Sequence, residues 1–147
     1  MFRFSVLFIA ISIASPTFAS ENTLVLDTIA DANEGVREII DLGAAGSSTG
    51  DTLIFDQPLL DGHDRKAIGS NGGFCIFLQP DRYQCQWTLT LSEGSITVGG
   101  LEVSEGESVL PVIGTTGIYE QYTGVMVSKP IENNMYRQVV TLHKRAE

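Results

Sequence analysis

Tyr83-Gln84-Cys85-Gln86-Trp87-Thr88-Leu89-Thr90-Leu91 alternates without a break. Its Tyr, Cys, Trp and Leu side chains fall on one face and its Gln and Thr on the other, the period of two that a half-buried β-strand requires. Ser92-Glu93-Gly94 then reads as a tight turn into Ser95 to Val103, where Ile96 and Val98 again alternate with polar neighbours. On the other side, Gln79-Pro80-Asp81-Arg82 separates the stretch from a second apolar one, Gly73 to Leu78, and a Pro-Asp turn makes the two a hairpin. Further strands are expected near 23–29, 36–41, 51–57, 108–113, 121–128 and 135–143, and no segment holds a helical period for three turns.

About eight antiparallel strands in a short chain leave exposed edges unless the sheet closes. The expected fold is therefore all-β: an antiparallel eight-stranded barrel whose interior holds side chains or one small ligand. Gly73 to Leu78 is apolar on both faces, so its outer side calls for cover by a loop or a neighbouring subunit. Gly43 to Gly50, rich in Gly, Ala, Ser and Thr, suits a loop at the barrel mouth better than an interdomain linker.

Residues 1–19 divide as an export signal does. Arg3 supplies the positive end, Phe4 to Ala14 the apolar run, and Thr17-Phe18-Ala19 a cleavage site after Ala19. Eleven apolar residues rise only about 16 Å as a helix against a hydrocarbon core of about 30 Å, so a retained anchor is disfavoured. Residues 20–147 are expected to form a single domain outside the cytoplasm, periplasmic or secreted, with no membrane attachment after cleavage. Of 147 residues, 43% are hydrophobic, and eighteen acids oppose nine bases for a net charge of −9. Such a surface repels polyphosphate, which excludes nucleic acid as a natural partner.

Export lets thiols oxidise. If Phe77 faces Tyr83, Cys75 faces Cys85 at a separation that a disulfide spans, whereas a shift of one residue pairs Ile76 with Cys85 and forbids it. Buried free thiols and a functional thiol are the alternatives. Two sulfurs with only His63 and His143 elsewhere make no zinc spacing, so no metal is expected. Gly114 to Gly117 is followed by no Lys and opens no helix, and reads as a tight turn, not a phosphate cradle. No Ser-His-Asp or Cys-His arrangement can be assembled, which leaves nucleophilic hydrolysis unsupported.

Several segments, in order, resemble the allene oxide cyclase barrel family. They are Gly50-Asp51-Thr52-Leu53-Ile54-Phe55, Leu59-Leu60-Asp61, Ile68-Gly69 leading to Gly73-Phe74-Cys75, and Gly94-Ser95-Ile96-Thr97-Val98-Gly99-Gly100. Gly114-Thr115-Thr116-Gly117-Ile118-Tyr119, with Gly124, is also similar to the signature of the related dirigent proteins. The resemblance spans roughly residues 50–127. It implies an eight-stranded barrel, a homotrimer and an apolar cavity without a cofactor. In that cavity a small apolar molecule, lipid-, terpenoid- or polyketide-derived, would be isomerised or cyclised by confinement. A noncatalytic carrier or interaction barrel of the same fold is the alternative.

Carried over residue by residue, the resemblance places the family's substrate-side cysteine on Cys75, its cavity valine on Leu53 and its asparagine on the longer amide Gln57. It places the catalytic glutamate on Asp27, with Ile29 where a second asparagine stands. Asp27, Gln57 and Cys75 are thus the candidate catalytic residues. A disulfide between Cys75 and Cys85 would leave no free thiol at the first of these positions. Asp27 is ambiguous by itself: turned into the barrel it would have a raised pKa suited to acid work, yet alternation from Leu24 and Leu26 puts it on the opposite face. Leu53, Phe55, Phe77, Trp87 and Tyr119 are the candidate substrate-binding residues. These aromatics, with Phe74, Tyr83 and Tyr122, either line a pocket or fill the core. His63 lies in a polar turn, and reads as a surface residue more readily than as a base.

Overall fold

The structure, a computed structural model, describes residues 22–146, so the expected leader lies outside the described residues. Nine strands follow one another: β1 Thr23–Asp31, β2 Val36–Ile40, β3 Thr52–Asp61, β4 Ala67–Gln79, β5 Arg82–Leu91, β6 Gly94–Val103, β7 Ser108–Thr115, β8 Tyr122–Ile131 and β9 Met135–Lys144. All neighbouring pairs are antiparallel, in the order β1-β9-β8-β7-β6-β5-β4-β3-β2. A further pairing of β1 with β3, Thr28 opposite Asp61 and Ala30 opposite Leu59, closes the ring. Eight strands therefore make the barrel, and β2 continues the course of β1 along the same edge of β3, with Val36 opposite Asp56 and Ile40 opposite Thr52.

β3 runs on to Asp61 through Pro58, beyond the expected end near residue 57. Proline lacks an N–H and is tolerated in a sheet only where no partner waits for one. In β3 the odd-numbered residues face β4: Asp51 accepts from Phe77 and Asp61 donates to Lys66. Pro58 therefore faces the other edge, in the gap between the residues paired with β2 and those paired with β1. β4 likewise starts at Ala67, well before Gly73, because β3 and β5 bracket its Gly-rich first half on both sides.

The two ends of the lumen differ. Leu59, Leu89, Ile96, Val98, Leu110, Met126, Val140 and Leu142 are buried and fill one end, each such side chain contributing roughly 1.5–3 kcal/mol. The 3-10 turn Gly117–Tyr119 folds across that end and carries Tyr119 into the core, 4% exposed. Gly117 has φ +64°, and a Cβ there would meet the Glu93 carbonyl oxygen, so the glycine-rich segment clasps the β5–β6 turn. Residues 43–50 lie at the opposite end, beside Phe77 and Leu78. There Asp51 accepts bonds from the Leu42 and Ser48 amides at 2.9 and 2.7 Å, and these hold its carboxyl below the usual range.

Candidate functional site

The lumen is open where β3 begins and β4 ends. A cavity of about 150 Å³ there is lined by Leu53, Phe55, Cys75, Phe77, Tyr83 and Trp87 on one side. Arg37, Gln57, Glu102, Ser104, Tyr136 and Gln138 complete it. The apolar wall follows from the alternation of three neighbouring strands. Leu53 pairs with Cys75, Cys75 with Cys85, and Gly73 with Trp87. Gly73 is needed there, since a Cβ would come within 2.4 Å of Trp87 Cβ. Phe55 meets Trp87 edge-on at 6.1 Å between centroids and Phe77 meets Tyr83 at 4.7 Å, so the rings support one another as a wall.

Cys75 and Cys85 form the cross-strand disulfide, with Cα atoms 4.0 Å apart. The bridge lies in the lumen wall, and no thiol is available at either position. Glu102 Oε2 lies 3.6 Å from Cys85 Sγ, while Glu102 Oε1 accepts a bond from the Ser128 hydroxyl at 2.9 Å. Burial pushes the Glu102 carboxyl above the usual carboxylate range, and the Ser128 hydroxyl offsets this only in part. Glu102 with the two sulfurs makes the one cluster of metal-ligating type among the described residues, and the disulfide engages both sulfurs. A metal would first require reduction.

The floor of the cavity carries amides. Asn71 donates to Gln138 Oε1 at 2.8 Å, and Thr28 donates to the Gln138 carbonyl at 2.9 Å. Gln57 is 6% exposed and adjoins them. Among the described residues, two buried side-chain polar atoms have no partner, Asn71 Oδ1 and Trp87 Nε1. An unpaired buried group costs about 1–3 kcal/mol, so the two atoms are local weak points in the packing behind the cavity wall. The expectation of an apolar interior thus describes the closed end, whereas the open end is of mixed polarity.

The candidate residues separate accordingly. Gln57, Cys75, Leu53, Phe55, Phe77 and Trp87 come together around the cavity; Asp27 and Tyr119 do not. Asp27 lies on the outer face, opposite Leu24 and Leu26, with Arg137 Nη2 at 2.6 Å and Arg137 Nε at 2.9 Å. That pair holds its carboxyl below the usual range, the reverse of what an acid in the lumen would need. Its surroundings are a separate depression of about 540 Å³ that Asp61, His63 and Arg137 also line. Tyr119 packs into the closed end, where burial and the Glu93 charge raise its hydroxyl's pKa. Phe74 points outward and is 41% exposed.

Glu102, Gln138 and Arg37 went unnoticed as site residues in the sequence, although a signal existed for the first two. Ile96, Val98, Gly100 and Glu102 share one register in β6, and Gln138, Val140 and Leu142 share one in β9, so each polar residue occupies a lumenal position of its strand.

Residues 31–142 match the Allene oxide cyclase barrel like domain, and the chain belongs to that family. No curated protein matches it in sequence. Among solved structures it is similar to one described as pyocyanin demethylase, with 26% identity and a TM-score of 0.67 over 82% of this chain and 98% of that one. It is also similar to the Diels Alderase AbmU from Streptomyces koyangensis, at 17% identity and TM-score 0.69, covering 86% of this chain and 71% of that one. The pterocarpan synthase dirigent protein PsPTS1 is matched at 17% identity and TM-score 0.69, over 88% of this chain and all of the other. The last two likenesses show the barrel fold.

Proposed function

We propose that this protein is an exported barrel that takes a small, mostly apolar ring compound into the open end of its lumen. There it promotes an isomerisation or ring closure, with Glu102 donating or accepting the proton. The observation that carries this reading is a buried carboxyl of raised pKa facing a cavity whose other polar groups, Gln57 and Gln138, can hold a guest. Size supports a ring rather than a long acyl chain: a cavity of about 150 Å³ is one that accommodates benzene in another protein. The similar structures include proteins described as a demethylase, a Diels Alderase and a pterocarpan synthase, all names of small-molecule chemistry. A disulfide fits an oxidising compartment, and the apolar outer face of β3 and β4 fits a homotrimer.

Native mass spectrometry of protein from its own source, searching for a retained small molecule, supplies the ligand. Trp87 is the sole tryptophan and lines the cavity, so its fluorescence then reports occupancy directly. Glu102→Gln is expected to keep binding and to lower turnover by about a hundredfold or more. A variant with unchanged turnover overturns the role of Glu102, and a lumen that binds nothing overturns the reading. A noncatalytic carrier is favoured by one observation: two of the three positions that the resemblance would make catalytic are engaged elsewhere, Cys75 in a disulfide and Asp27 in an outer ion pair. Binding without any turnover, in wild type and variant alike, would establish it.

A further inference from the structure

Arg37 and Glu102 are the two charged residues lining the cavity. Arg37 sits on β2 opposite Phe55, at the rim, and has no carboxylate within ion-pair distance among the described residues, whose ion pairs are Lys66–Asp64, Lys129–Glu107 and Arg137–Asp27. Arg37 is exposed and unpaired, and in a chain with twice as many acids as bases a base at the mouth of a cavity is open to pair with an anionic guest. Glu102 lies on β6 and makes no ion pair with Arg37 across the cavity. Deeper in, Trp87 is 2% exposed and its Nε1–H has no acceptor. A flat guest between the aromatic wall and the amide floor therefore meets the Trp87 ring within and an unpaired cation at the rim.

We infer that the lumen selects ring compounds that carry a carboxylate, with Arg37 setting this preference at the rim and the Trp87 ring packing against the guest inside. The inference rests on lumenal binding as proposed above and adds the charge of the ligand. Acidic residues elsewhere on the surface repel such an anion only weakly, because charges farther than about 8 Å are screened at physiological salt.

The test titrates the protein with 4-hydroxybenzoate and with 4-hydroxybenzamide, followed by ligand-observed NMR at low and high ionic strength. The two probes share ring and hydroxyl and differ in charge. Wild type is expected to bind the benzoate about fivefold more tightly at low salt, with the difference shrinking at high salt. Arg37→Gln, on an exposed strand and folded by its unchanged melting curve, is expected to bind both probes equally. Arg37→Lys should restore part of the preference, and Trp87→Phe should weaken both probes alike. Equal binding of the two probes by wild type overturns the inference while lumenal binding stands. A preference that survives in Arg37→Gln also overturns it, since the charge is then read elsewhere. Binding of neither probe at millimolar concentration overturns both readings.

Discussion

At Glu102, burial opposes ionisation, and the sign of the effect on stability follows. The folded carboxyl holds its proton to a higher pH than the unfolded one, so above the unfolded value of about 4.5 the native state binds more protons and wild-type stability falls as pH rises, until the folded pKa is passed. Glu102→Gln keeps an acceptor for Ser128 and carries no charge. Urea unfolding across pH 4 to 8 should therefore show the variant gaining on wild type as pH rises; parallel curves would refute a buried acid. Asp27 behaves oppositely. Its carboxyl is held low by Arg137, so the contribution is present above about 3.8 and disappears as pH falls below it. Arg137 is half exposed, so Asp27→Asn should cost no more than about 1 kcal/mol at pH 7 and nothing near pH 2, with ligand binding at the lumen unchanged. A large loss of binding would return Asp27 to the site.

The β4–β5 hairpin is where the fold and the site share a part. Its disulfide links residues ten apart in sequence, and the loop-closure argument gives about 2–3 kcal/mol for such a ring. Reduction, or Cys75→Ser with Cys85→Ser, should lower the melting midpoint by roughly 10 °C, read by thermal denaturation with and without reductant. A negligible shift would mean that the strand pairing alone holds the hairpin. The hairpin itself was legible beforehand from its Pro-Asp turn, but its register was not: Gln79 pairs with Arg82, and only the irregularity between Phe77 and Gln79 sets Phe77 opposite Tyr83 and Cys75 opposite Cys85. The first half of β4 was not legible: Gly69, Ser70, Asn71 and Gly72 carry no alternation, and only their bonded neighbours on both sides make them a strand.

Across the barrel as a whole, the outer face of β3 and β4 exposes Ile54, Phe74 and Ile76, each about 40% accessible, with Ile40 and Leu78 beside them. A contiguous apolar patch of this kind on a sheet face is where a second copy would dock. Ile54→Asp with Phe74→Asp should convert a homotrimer into monomers by light scattering, and wild-type protein that is already monomeric would refute the assembly. Legibility was high for the number of strands and their places along the chain, because turns and period-two patterning are local. For the site it was partial. Leu53, Phe55, Gln57 and Trp87 stood in strands whose inward faces could be read, whereas the convergence of Arg37, Glu102 and Gln138 depends on strands more than thirty residues apart in the chain.

The amino-acid sequence alone determined the all-β character and the antiparallel arrangement, and it put the two cysteines in facing strands of one hairpin, since these follow from side-chain alternation and turn chemistry within a few residues; that Cys75 stands opposite Cys85 was decided by the strand irregularity between Phe77 and Gln79. The tertiary structure decided which end of the lumen is filled and which is open, that Asp27 faces outward to Arg137, and that Glu102 is the carboxyl the cavity contains. The reason is physical: alternation assigns a side chain to one of two faces, but how deep it lies along the barrel, and what stands opposite, is set by the stagger of strands when the ring closes.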